Sequence, residues 1–133
     1  MKVNSISTIL VILLVLVTFS MTSCTIIAKE QRISLFIADL NEDPRPNSIR
    51  YHFSPSATLY GTITSAFFNS DFPTNSISYS ISNIDLGSDP ITATISGTGG
   101  DFLGPFTIEF TMVEEDLDWL ILKLVMDGST IVQ

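Results

Sequence analysis

The sequence predicts an α+β domain, with N-terminal helices packed on a curved four-stranded antiparallel sheet, behind a cleaved export signal. Three observations carry that expectation. The first two dozen residues have the cationic start, apolar run and small-residue end of a secretory signal. From Glu30 to Leu40 the apolar residues recur with a helical period. After Pro73 the period changes to two, and helices followed by strands is the α+β order.

In the signal, Lys2 supplies the positive charge and Ile9 to Val17 is an unbroken apolar run. Nine helical residues reach about 13 Å at 1.5 Å per residue, well short of a bilayer core about 30 Å thick. Ser5, Ser7, Thr8, Thr18 and Ser20 flank the run, so an uncleaved anchoring helix is disfavoured. The tetrad Met21-Thr22-Ser23-Cys24 follows, ending in the one cysteine of the chain.

That tetrad resembles the lipobox of bacterial lipoproteins, with methionine where leucine is more usual. The resemblance implies that Cys24 receives a diacylglyceryl thioether and becomes the first residue of the mature protein. The alternative is a secreted protein whose cysteine lies near the cleavage point by chance. A lone cysteine has no internal disulfide partner, and lipidation accounts for it. Two acyl chains give stable attachment, at about 0.8 kcal/mol per buried methylene. Thr25, rather than aspartate, follows the cysteine, which in the lipoprotein family points to the outer membrane where the host has one. The expected plan is signal peptide 1–23, lipidated tether 24–29 and a domain over 30–133.

The mature portion keeps five of the six Lys and Arg and all 14 acids, a net charge of −9. Nucleic acid and anionic headgroups require clustered cations, so nucleic-acid binding is excluded as an expectation. The lipid alone would hold the body at the membrane.

Within the domain, Ile33, Phe36, Ile37 and Leu40 form one helical stripe, with Asp39 and Glu42 on the wet side. Pro44 and Pro46 end it. Asn47 is positioned to cap a short helix through Ile49, Arg50 and Phe53, stopped before Pro55. A second helical piece is expected from about Ser56 through Leu59, Ile63, Phe67 and Phe68, although Gly61 opposes it.

Ile77, Tyr79 and Ile81 begin a strand whose phase slips near Ser82-Asn83, the mark of a β-bulge. Ile91, Ala93 and Ile95 give the second strand. Phe106, Ile108, Phe110 and Met112 give the third. The acidic turn Glu114-Glu115-Asp116 leads to the fourth, Trp119 to Met126.

The stretch from Phe110 to Ile121, an apolar strand, an acidic turn and a Trp-x-Ile strand, resembles the last hairpin of NTF2-like (cystatin-like α+β) domains. The helix, the proline break and the strands follow in the family's order over about residues 28–127. The resemblance implies a cone whose mouth holds a ligand, and some relatives are isomerases or dehydratases. The family often has glycine where Leu117 stands, because a short bulged hairpin favours positive φ there.

An enzyme of this kind needs a general base near phenolic or electrophilic partners. The candidates are His52, the one histidine, and Asp71 among Phe67, Phe68 and Phe72, with Tyr51, Tyr60 and Tyr79 as the phenols. Asp71 also sits in a turn signature, Asn69-Ser70-Asp71-Phe72-Pro73, where a solvated cap is the common role. No catalytic residue is assigned on this reading. One histidine and one cysteine do not make a zinc shell. Glu114-Glu115-Asp116-x-Asp118 lacks the spacing of a calcium loop. Gly97-Thr98-Gly99-Gly100 precedes a strand and has no lysine nearby, so it is not a phosphate loop. No metal or cofactor is expected.

The fourth strand is apolar on both faces: Leu120, Leu122, Leu124 and Met126 on one, Trp119, Ile121 and Val125 on the other, with Lys123 the lone charge. A strand with one wet face alternates more cleanly. Leu120, Leu122 and Leu124 are therefore the candidate interface, covered by the chain itself, by a second copy or by another envelope protein. The functional expectation is a lipid-anchored, non-catalytic module that binds an envelope protein or a small apolar ligand. The alternatives are a small cone enzyme and a purely structural lipoprotein.

Overall fold

The computed structural model describes residues 29–74, 76–100, 102 and 104–133. The export signal, Cys24 and the start of the tether lie outside the described residues. One helix packs against a five-stranded antiparallel sheet whose strands follow in chain order.

The helix, α1, is described over residues 29–40. Its predicted stripe, Ile33, Phe36, Ile37 and Leu40, is wholly buried. The backbone then turns as Asn41 N–H donates to Ala38 O and Glu42 N–H to Asp39 O. Arg45, between the two prolines, reaches back to donate to the Leu40 carbonyl at 3.0 Å. That satisfies one of the carbonyls every helix end leaves open.

The segment after α1 departs from expectation. Asn47–His52 is a 3-10 helix with Pro46 at the cap position, and Asn47 makes no side-chain cap. Its Oδ1 instead accepts from the Ser65 N–H at 3.3 Å. Phe53 leaves the helix and bridges Ile121 in parallel, with Ser54 N–H donating to Ile121 O at 2.8 Å. The helix expected from Ser56 to Phe68 does not form; only Tyr60–Thr62 is a 3-10 turn within a run of turns. Ala57, Ile63 and Phe68 are buried there, and their spacings of six and five do not share one α-helical face.

The strands are β1 (Ser78–Asp85), β2 (Ile91–Thr98), β3 (Phe106–Glu115), β4 (Asp118–Met126) and β5 (Ser129–Val132). The register of β1 on β2 skips Ser82, which is the expected bulge. β5 was not expected. Asp127 (φ 46) and Gly128 (φ 82) form the two-residue connection to it, the positive-φ pair that a tight hairpin requires.

β4 does not alternate as its sequence suggests. Thr111 pairs with Lys123 and Met112 with Ile121, so Leu122 is an extra residue on β4. A bulge shifts every later side chain to the other face. Ile121 and Leu124 therefore both point inward and are fully buried, three residues apart. Leu120, Leu122 and Leu124 do not form one outward face.

The space between α1 and the sheet is filled. The Phe36 ring meets Phe53, Phe68 and Phe110 edge-on at centroid distances of 5.4 to 6.2 Å. Phe53 stacks on Phe68 at 5.7 Å. All four are buried, and such pairs add about 0.5–1.5 kcal/mol each beyond area burial. Where an NTF2-like cone would open, this chain has a phenylalanine core.

Candidate functional site

With the centre filled, open space lies at the periphery of the domain. One cavity, of about 330 Å³, combines aromatic walls with two carboxylates and sits at the end of α1 remote from Lys29. Tyr79, Phe102 and Phe106 wall it, Met126 closes one side, and Asp71 and Asp127 stand on its lining. Asn41, just past α1, places Tyr79: its Oδ1 accepts from Tyr79 N–H at 2.6 Å and its Nδ2 donates to Tyr79 O at 2.8 Å.

The aromatic walls brace one another. Tyr79, Phe102 and Phe106 lie with centroids 6.2 to 6.5 Å apart in pairs, and Phe72 backs Tyr79 and Phe106 at 5.6 Å each. The Phe102 ring seats over Gly97, where an added Cβ would come within 2.3 Å of it. The Tyr79 hydroxyl donates to Pro73 O at 2.7 Å, and burial raises its pKa. That phenol is committed to the backbone, so it has no free proton to give a substrate.

Asp71 accepts from the Ser70 hydroxyl at 3.3 Å, and Asp127 Oδ1 accepts from Thr107 N–H at 2.9 Å. Each of these contacts leaves a carboxylate with unused lone pairs. Among the described residues lining the cavity there is no lysine, arginine or histidine. Arg45, whose charge is felt at Tyr79, is held elsewhere by Leu40 O, Asn69 Oδ1 and Phe72 O.

His52 is not part of this cavity. It is buried in a polar chain that ties α1 to the β3–β4 hairpin. Arg32 donates to Asp118 Oδ2 at 2.5 Å, to Trp119 O at 2.9 Å and to His52 Nδ1 at 3.4 Å. Because arginine only donates, His52 Nδ1 accepts, and Nε2–H donates to Asp39 Oδ2 at 2.7 Å. Burial lowers the His52 pKa, opposed in part by Asp39. Both ring nitrogens are engaged within the protein, which suits a structural histidine better than a base.

The remaining sequence candidates fall apart in space. Tyr51 is exposed and Tyr60 does not line the cavity. Leu124 is core, while Leu120 and Leu122 are half-buried. Leu120 pairs with Val113 on the face away from α1. Under Lys29, whose Nζ lies 4.0 Å from the Trp119 ring centroid, Leu86, Met112 and Trp119 line a second hollow of about 260 Å³. Trp119 Nε1 is buried without a hydrogen-bond partner among the described residues.

Sequence reasoning singled out Asp71 and Tyr79 but not Phe102, Asp127 or Met126 as neighbours of theirs. Asp127-Gly128 is a hairpin dipeptide, and that signal locates Asp127 beside the start of β3. Comparison of the chain with known protein families, with curated proteins and with solved structures finds no match.

Proposed function

We propose that this chain is a lipid-anchored, exported binding module, held by a diacylglyceryl thioether on Cys24 and carrying an NTF2-like α+β domain. Its cavity beside Tyr79 receives a small ligand with an apolar body. The observation that carries the ligand reading is the cavity itself. Its volume falls within the roughly 300–1,000 Å³ range of small-molecule pockets, and it has the usual apolar wall with a few polar groups. Asp71 and Tyr79 come together there, but the committed Tyr79 hydroxyl favours binding over acid–base chemistry.

Two measurements test this. Intact-mass analysis of the membrane fraction should give a chain starting at Cys24 plus acyl chains, lost in Cys24→Ala; an unlipidated mass removes the anchor. Titration of the methyl-labelled full chain with 2-phenylethanol and with 2-phenylethylammonium should shift the Met126 methyl resonance; no shift with either at millimolar probe removes the ligand reading.

A partner on the outer sheet face is the second reading, favoured by the half-buried pair Val113 and Leu120 on the side away from α1. Leu120→Asp would then abolish self-association. An unchanged oligomeric state in a folded variant defeats it.

A further inference from the structure

Resting on the reading of this cavity as a ligand site, we infer that its ligand is an organic cation: an amine or quaternary ammonium group carried on an apolar body. Two features of the cavity converge on that class. Its wall is built from aromatic rings, Tyr79, Phe102 and Phe106, locked against one another and against Phe72. The negative faces of such rings attract a cation, and more so as it is desolvated. Two carboxylates, Asp71 and Asp127, stand on the lining.

Neither carboxylate is neutralised within the cavity. Asp71 accepts one hydroxyl hydrogen bond and Asp127 one backbone N–H, and no ion pair joins either acid to a basic residue among the described residues. Arg45 cannot swing in without abandoning three acceptors. An anion entering here would meet two like charges and no donor of opposite sign. A neutral apolar molecule would bury its body against Ile77, Phe106 and Met126 but gain nothing from the charges of the half-buried Asp71 and the exposed Asp127. A cation with an apolar body satisfies both.

The remaining surface supports the same sign. The chain carries a formal charge of −8, which draws cations toward it and raises their local concentration.

The test compares two soluble probes that differ in charge and share an apolar body, 2-phenylethylammonium and 2-phenylethanol. Each is titrated into the full-length chain in a non-ionic detergent and followed at the Met126 methyl resonance and by calorimetry. The ammonium probe should bind at least tenfold more tightly than the alcohol at low ionic strength. That ratio should fall toward one in Asp71→Asn/Asp127→Asn, which keeps an acceptor for Thr107 N–H and so preserves the β3 contact. The alcohol's own affinity should stay unchanged in the same variant, which also reports that the fold is intact. Equal affinities in the wild type overturn the cation inference while leaving the ligand site standing. Failure of both probes to bind overturns the ligand site as well.

Discussion

Asn41 pairs with Tyr79 as a strand would, accepting from its N–H and donating to its carbonyl through one side-chain amide. β1 is an edge strand, and an edge strand offers unpaired backbone groups to other chains. The amide of a residue just beyond α1 therefore blocks that edge at the residue that also walls the cavity. Asn41→Ala should remove both bonds and cost about 1–3 kcal/mol, as expected for leaving partly buried backbone groups unpaired. Denaturant unfolding of the variant beside wild type measures it, and an unchanged midpoint would show that the pairing contributes nothing.

Leu117 is 93 % exposed at φ +65, beside Asp116 at φ +50, in a two-residue turn between Glu115 and Asp118. A leucine in that region carries about 1–2 kcal/mol of steric strain and here has little packing to set against it. Glycine removes the strain but adds backbone freedom to the unfolded chain. Leu117→Gly should raise stability by about 0.5–1 kcal/mol on balance, read as a higher unfolding midpoint with the slope unchanged. A destabilised variant would mean that the leucine side chain contributes contacts.

His52 makes stability depend on pH. Burial lowers its pKa in the folded chain, so below the ordinary histidine value of about 6.5 the unfolded chain binds the proton more readily. Stability is full above that value and declines as the pH falls through it toward the folded pKa. Protonation would also turn Nδ1–H against the Arg32 guanidinium while Nε2–H stays on Asp39. Unfolding midpoints of wild type and His52→Gln, compared at pH 7.5 and 5.5, should diverge, with the wild type losing more. Parallel pH profiles in the two proteins would rule this out.

Phe36 touches Phe53, Phe68, Phe110 and the His52 ring, joining α1, the irregular segment and the sheet. Phe36→Ala should cost about 3–5 kcal/mol, the range for a fully buried aromatic side chain. A loss below about 2 kcal/mol would mean that the surrounding rings collapse into the space.

The parts of this fold that could be read from the sequence are those governed by a single local period. The stripe on α1, the first three strands and the bulge at Ser82 follow from spacing alone. β4 and the segment from Asn47 to Phe72 do not. In β4 the extra residue Leu122 sits among uniformly apolar neighbours, so no polar residue marks the change of phase. From Asn47 to Phe72 the buried residues are placed by tertiary partners: Ile121 for Phe53, Glu115 for Ser54 through a 2.6 Å bond to its hydroxyl. β5 had its signal, Asp127-Gly128, but only four residues follow in the strand. The cavity was half visible, in Asp71 and Tyr79. Its other half comes from residues far along the chain, which meet Asp71 and Tyr79 only once the sheet is assembled.

The two ends of α1 belong to different surroundings. Lys29 lies over Trp119, while the far end leads through Asn41 to Tyr79 and the cavity. The twelve helical residues set these ends about 17 Å apart. Under the proposed anchoring through Cys24, the tether joins α1 at the Trp119 end, while the cavity lies at the other end of the helix. Filling the cavity beside Tyr79 would then leave untouched the contact that Lys29 makes at the anchored end.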